Sequence, residues 1–312
     1  MKLAIWKHLV RPLLPWIGRL VAAILASVAV AWVVGSLVIR RAEPEHVETL
    51  PAGVPGRMVV VGGRPVHVVE QGDGEPVVLV HGFAGSTADW EDDVLPALAE
   101  RHHVVAFDLL GMGFSARGDD LAYGYDLWSR QIVELMDTLG IARAAIVAHS
   151  LGGAIAAITA GEHPERVTKL ALVAPLVPLE QSERQWFFKL LEIPGVGEAM
   201  LASKDHLPDL PGFSGSYVAR AREIYRRAGT RQALLTYLRH GRDTGRLLTA
   251  YREIRSPTLV VHGTNDDVVP YTAVRRAVPD IADVLVLPID TAGHWLMRDH
   301  PRKVIAALND FL

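Results

Sequence analysis

The run Ala144-Ala145-Ile146-Val147-Ala148-His149-Ser150-Leu151-Gly152-Gly153-Ala154-Ile155-Ala156-Ala157-Ile158 changes character at one residue. Ahead of Ser150 stands a short apolar block of strand type. Behind it, two glycines open an alanine- and isoleucine-rich segment that reads as a helix. The spacing predicts strand, sharp turn and helix, with one hydroxyl at the apex. Glycines after the serine let neighbouring backbone approach, and the helix start offers unpaired N–H groups to a developing negative charge. Such a serine is an acyl-transfer nucleophile if a histidine and a carboxylate reach it. Without them it would be an ordinary helix N-cap.

Both groups follow in the chain. The apolar strand 258–261 leads into His262-Gly263-Thr264-Asn265-Asp266-Asp267-Val268-Val269-Pro270, which sets a carboxylate in a loop at the strand's end. The strand 284–287 is followed by Ala292-Gly293-His294-Trp295, which sets an imidazole at the same edge. Ligands of open α/β sheets bind beyond the carboxyl ends of the strands, so the three groups can converge there. Asp267 is the competing carboxylate, and the spacing to Gly263 and Pro270 favours Asp266. Asp290 reads as a turn residue, and Glu180 is the one carboxylate soon after the strand 169–174.

The same alternation extends through the rest of the chain. Residues 57–61 and 65–70, joined by Gly62-Gly63-Arg64, read as a hairpin. Further apolar strands are expected at 77–80 and 104–107, and helices at 88–101, 126–139, 151–163 and 301–312. Apolar strands alternating with helices imply an α/β fold, a mostly parallel sheet with helices on both faces. Residues 57–174 and 256–312 supply that core. The interval 175–255 has no clear strand, carries helical segments at 185–191 and 217–227, and is punctuated by Pro194, Pro208 and Pro211. A structureless loop of that length is improbable in a compact domain, so it reads as a helical cap.

Residues 20–39 contain no charged side chain. As a helix they would span ~30 Å, one hydrocarbon core. The stretch lacks a polar face and is longer than the apolar region of a secretory signal. Residues 1–41 therefore read as an N-terminal transmembrane anchor, and the acidic, Pro/Gly-containing 42–56 as a linker. Lys2, Lys7, Arg11 and Arg19 precede the span, against Arg40 and Arg41 after it, which favours an extracytoplasmic catalytic part.

A net charge of -3 gives no basic field for nucleic acid. The lack of cysteine removes disulfides, thiolate metal sites and a thiol nucleophile. The histidines show no metal-ligand spacing, and Gly111 and Gly113 lack the rest of a dinucleotide fingerprint; they read as a turn at the pocket mouth. No metal and no cofactor are expected. His81 is expected to support the loop it opens, and His149 to point away along its strand.

Taken together, His81-Gly82-Phe83, Asp108-Leu109-Leu110-Gly111-Met112-Gly113-Phe114-Ser115, the Ser150 turn, Gly263 to Pro270 and Gly293-His294 resemble the α/β-hydrolase superfamily over residues 57–312. The order Ser, Asp, His is also the family's. Ala148 departs from the usual G-x-S-x-G pattern by the smallest step beyond glycine. The resemblance implies Ser150 as nucleophile, His294 as general base and then acid, and Asp266 as the group orienting the imidazole. It implies the backbone N–H groups of Phe83 and Leu151 as the oxyanion hole.

The cap residues Trp186, Phe187, Phe188, Phe213, Tyr217 and Tyr237, with Leu190, Leu191, Met200 and Leu201, suggest an apolar pocket. The expected activity is hydrolysis of carboxylic esters of small hydrophobic substrates. The alternatives are carbon–carbon bond hydrolysis, amidase, lactonase or perhydrolase chemistry of the same fold, or a non-catalytic ligand-binding protein. Dehalogenases and typical epoxide hydrolases resemble this fold with an aspartate at the nucleophile position, where this chain has Ser150.

Overall fold

Valine- and alanine-rich runs build one eight-stranded sheet in the order β1-β2-β4-β3-β5-β6-β7-β8. Its strands are β1 (Arg57–Val61), β2 (Arg64–Gln71), β3 (Glu75–Val80), β4 (His102–Phe107), β5 (Ala144–His149), β6 (Val167–Val173), β7 (Thr258–Gly263) and β8 (Val284–Ile289). β1 and β2 form the expected antiparallel hairpin, β2 pairs antiparallel with β4, and β3 through β8 run parallel. Every residue of β5 and of β7 is buried, because a central parallel strand is covered on both faces and reads as a continuous apolar run. This computed structural model describes residues 14–42, 50–180, 183–202 and 214–312. Lys2, Lys7, Arg11, residues 43–49 of the predicted linker, Pro208, Pro211 and Phe213 lie outside the described residues.

Alternate side chains enter two cores. Val78 and Val80 join Trp128, Ile132 and Leu135 of α4 (Tyr125–Thr138), Ile155 of α5 (Leu151–Glu162) and Tyr251 of α10 (Thr244–Glu253). Val77 and Leu79 face the other way, toward Leu95 and Leu98 of α3 (Val94–Ala99) and Val304 and Leu308 of α13 (Pro301–Phe311). This period of two is the pleat of a half-turn per residue.

The single helix expected over 88–101 is two pieces, α2 (Ala88–Glu91) and α3. Pro96 explains the break: in a continuous helix it would cost the bond to Asp92 and crowd that residue, whereas a fresh start at Val94 places it in the first turn. Between β6 and β7 the described residues hold no strand. They hold α6 (Trp186–Glu192), α7 (Val196–Ala202), α8 (Gly215–Arg226), α9 (Thr230–His240) and α10. The last of these packs on α5, with Arg246 Nε donating to Glu162 at 2.6 Å, so it belongs to the helical layer over the sheet. Between β7 and β8 lies α11 (Tyr271–Ala277), and α12 (Leu296–Asp299) precedes α13.

At the N-terminus, α1 (Leu14–Ala42) contains the stretch Trp16–Gly35, of mean hydropathy 2.2, long and apolar enough to cross a membrane. Its length and composition suit an anchor or a signal sequence.

A buried ion pair fixes the loops after β3 and β4. The Asp108 carboxylate accepts from Thr87 N at 2.7 Å, Phe114 N at 2.6 Å and His67 Nδ1 at 2.8 Å. His67 Nε2 lies 2.8 Å from the Pro55 carbonyl. Both ring nitrogens face acceptors, so the imidazole is doubly protonated. Burial opposes the charge, but Asp108 and the Pro55 carbonyl raise the imidazole above its ordinary 6.5. Burial likewise opposes the carboxylate, but His67 holds it below 3.8.

A depressed carboxyl stabilises above its unfolded value and stops doing so as pH falls through the folded one; a raised imidazole stabilises below 6.5 and stops as pH rises through its folded value. The pair is thus expected to contribute fully between 3.8 and 6.5. Asp108→Ala leaves a buried cation and should cost about 3–5 kcal/mol in urea unfolding at pH 6, with the difference shrinking in acid.

Candidate active site

The turn after β5 holds Ser150 at φ 50°, ψ −116°, a conformation that non-glycine residues keep only under strain. Several contacts impose it. Ser150 N donates to Val173 O at 3.1 Å, and Leu176 N donates to Ser150 O at 2.8 Å. Any side chain at Gly152 would overlap the carbonyl oxygens of Val80 and His81, so the first turn of α5 lies directly on the end of β3. Ala148, where the family pattern has glycine, is fully buried in β5.

The loops after β7 and β8 bring the other two groups to this turn. His294 Nε2 lies 2.9 Å from Ser150 Oγ, and Nδ1 lies 2.7 Å from Asp266 Oδ2. Asp266 Oδ1 accepts from Val268 N at 2.9 Å and Val269 N at 2.8 Å. Burial pushes the Asp266 carboxyl up, but His294, the Val269 N–H and His262 together hold it below 3.8. It therefore stays an acceptor, keeps the proton on His294 Nδ1, and leaves Nε2 free to accept from the serine. Asp267, Asp290 and Glu180 are all exposed and point to no such partner.

Two histidines support this geometry, and sequence reasoning gave neither its role. His149 does not point away along β5, as its position beside Ser150 suggested. Its Nε2–H donates to the His294 carbonyl at 3.1 Å, and its ring lies 5.0 Å from the His294 ring and 5.4 Å from that of Trp295. Burial, with the neighbouring His294, pushes it down to about 3, so it is a neutral wedge. His262 Nε2 donates to Val269 O at 2.9 Å and braces the Asp266 loop. Burial lowers it as well.

On the opposite side, His81 Nδ1 donates to Gly82 O at 2.8 Å, while Leu109 N donates to His81 Nε2 at 3.0 Å. This holds the 81–85 turn against the loop that follows β4. Among the described residues the backbone N–H groups of Phe83 and Leu151 donate to no protein atom, and both residues line a cavity with Ser150. Two free donors beside a nucleophile are what an oxyanion needs. The Gly111–Gly113 turn does not line this cavity. A side chain at Gly113 would overlap the Asp108 carboxyl, so the turn wraps the buried ion pair instead.

The cavity's apolar wall is Phe83, Leu176, Leu179, Phe188, Tyr237, Leu238 and Val268. Phe188 and Tyr237 are 6.0 and 5.9 Å from Phe83, ring to ring. Among the described residues the other aromatics named from this interval do not line it. Trp186 is 69 % exposed, Phe187 packs beside Phe188, and Tyr217 donates to Asp89 at 2.8 Å in a separate cleft. Arg184, Gln185 and Arg242 do line it. Both arginines pair with the single Glu192 carboxylate. These polar groups come from loop positions with no periodic signal, which the aromatic composition obscured. Among the described residues no group of His, Asp and Glu is placed to hold a metal ion.

The family of the alpha/beta hydrolase fold matches residues 75–214. Over 268 residues the chain is 30 % identical to the 2-hydroxy-6-oxo-6-(2'-aminophenyl)hexa-2,4-dienoic acid hydrolase of Metapseudomonas resinovorans, covering 82 % of this chain and 90 % of that one. The chain belongs to the α/β-hydrolase superfamily. This α/β hydrolase is also 28 % identical over 278 residues to the 2-hydroxymuconate semialdehyde hydrolase of Pseudomonas sp. (strain CF600), covering 82 % and 93 % of the two chains. A bacterial membrane phospholipase A shares the fold, with a TM-score of 0.65 and 22 % identity, over 98 % of this chain and 97 % of its own.

Proposed function

We propose that this α/β hydrolase cleaves a carbon–carbon bond beside a carbonyl, in a substrate that bears a carboxylate at its far end. Ser150, His294 and Asp266 are the triad, Phe83 and Leu151 the oxyanion donors, and the stretch from residue 175 through α9 the cap, with α10 left in the layer over the sheet. In this reading residues 1–41 hold the protein in a membrane, with the catalytic part outside the cytoplasm.

The observation that carries the substrate reading is the pair of arginines beside the serine. Two guanidinium groups against one Glu192 carboxylate leave one positive charge on the cavity wall, and a guanidinium fork suits a carboxylate. The relatives named above, one of them named for a 2-hydroxy-6-oxo dienoic acid, support the same class.

Serine is a weak nucleophile at its free pKa, so His294 Nε2 takes the Oγ proton as the bond to the carbonyl carbon forms. Negative charge collects on the carbonyl oxygen, where Phe83 N–H and Leu151 N–H receive it. As the tetrahedral centre collapses, the carbon–carbon bond breaks and its electron pair passes to the carboxylate-bearing fragment. That fragment takes the proton from His294 and leaves. Water, deprotonated by His294, then releases the acyl group from Ser150.

Ester hydrolysis is the second reading, favoured by the apolar wall of Phe83, Phe188 and Leu238. The full-length protein, purified in detergent, decides between them when kcat/KM for 2-hydroxy-6-oxo-hexa-2,4-dienoic acids is set against p-nitrophenyl esters of increasing length. Higher values for the dienoic acids are expected; turnover of the esters alone would replace the proposal with the second reading. A charge-assisted hydrogen bond contributes about 1.5–3 kcal/mol. Arg184→Met should accordingly lower kcat/KM for the carboxylate substrate roughly 10- to 100-fold, while leaving a neutral ester little changed.

A further inference from the structure

α1 is packed against the cap at backbone distance. A Cβ on Gly195 would lie 2.8 Å from Trp32 Cβ and 2.9 Å from Val28 O, and one on Gly35 would lie 3.1 Å from Ala199 N. Glycine on each partner is what permits two backbones to approach so closely. The contact also sets a register: Gly195 sits level with Val28 and Trp32, and Ala199 level with Gly35.

That register has a consequence for depth. The apolar stretch of α1 runs from Trp16 to Gly35. Val28 lies seven positions inside its outer end, ~10 Å along the helix. If this stretch crosses the hydrocarbon, the turn that carries Gly195 is below the bilayer surface. Two exposed apolar side chains, at the start of α6 and just past its end, suit such a setting. Ile193 is 44 % exposed and Trp186 is 69 % exposed, and tryptophan favours the interface level. Among the described residues, the carboxylate at the contact, Glu198, is neutralised by Arg239 at 2.7 and 2.8 Å and accepts from Gly195 N at 2.8 Å. Trp186 is flanked by Gln185 and, two positions on, Phe188, both of which line the Ser150 cavity.

We infer that the face formed by Trp186 and Ile193, beside the buried contact of Gly195 with α1, is a lipid-docking surface, seated in the outer leaflet, so that the Ser150 cavity fills from the membrane rather than from bulk water. The inference rests on the anchor reading of residues 1–41. It narrows the substrate to an amphiphile with an apolar body and an anionic head, one that partitions into a bilayer.

The chain has no cysteine, which makes single labelling sites straightforward. Full-length Trp186→Cys, Ile193→Cys, Leu25→Cys and Glu165→Cys would each carry an environment-sensitive fluorophore in phosphatidylcholine–phosphatidylglycerol vesicles. The quenchers are phosphatidylcholines with a doxyl group high on the acyl chain, for positions 186, 193 and 165, and near the chain end, for position 25 at mid-bilayer. Leu25 lies on the exposed surface of α1, and Glu165 just ahead of β6, at the end of the sheet away from Ser150. Loss of fluorescence at 186, 193 and 25, with none at 165, is the expected result. Quenching at 25 alone would overturn the docking surface and leave the anchor standing. Absence of quenching at 25 would overturn both.

Discussion

Replacing Ser150 by alanine is expected to lower kcat by about 10⁵- to 10⁶-fold, with the remaining rate supplied by binding and the oxyanion donors. The loss is that large because Oγ forms the covalent bond and His294 Nε2, 2.9 Å away, has nothing else to activate. A second variant separates chemistry from folding. The backbone at residue 150 lies at φ 50°, ψ −116°, which alanine bears no better than serine. Glycine takes it without strain, and relief of such strain is worth about 1–3 kcal/mol. Ser150→Gly should therefore be as inactive as Ser150→Ala and melt at a higher temperature. A fold held open by Ser150 itself would give the opposite order of melting temperatures.

Asp266→Asn carries the second large effect, a drop in kcat of about 10⁴-fold. Its cause is the direction of one proton. Oδ1 accepts two backbone N–H groups, from Val268 and Val269. An asparagine must keep its oxygen there, so its NH2 faces His294 Nδ1. The imidazole then holds its proton on Nε2 and cannot accept from Ser150. In the native protein the carboxyl is held below 3.8, so turnover lost above pH 4 is not due to Asp266 gaining a proton. Kinetics of the variant over pH 5 to 9 should show the defect throughout. Recovery of activity at high pH would point instead to a charge effect that the remaining groups can replace.

Most of the frame was legible because buried parallel strands and the Ser150 turn have sequence signatures that local packing cannot override. The valine-rich block ahead of His81, the two glycines after Ser150 and the Gly293-His294 pair mark strand ends, and strand ends meet at one edge. What escaped was set by contacts distant in sequence. Pro96 divides a helix that periodicity alone joins. His149 points under His294, although alternation along β5 shows only that it leaves the strand. The cavity's charge comes from Arg184 and Arg242, which face each other only after α6 and α9 pack. Aromatic content predicted a uniformly apolar pocket, yet Trp186 is outside it and Tyr217 is committed to Asp89.

Everything in the proposed chemistry depends on Ser150 being a nucleophile activated by His294 and Asp266. The most direct measurement is intact-mass analysis of the full-length protein after reaction with a fluorophosphonate. One adduct is expected, mapped to Ser150, absent in Ser150→Ala and formed far more slowly in His294→Ala. A folded protein that takes up no label, or that is labelled at another residue, would contradict it.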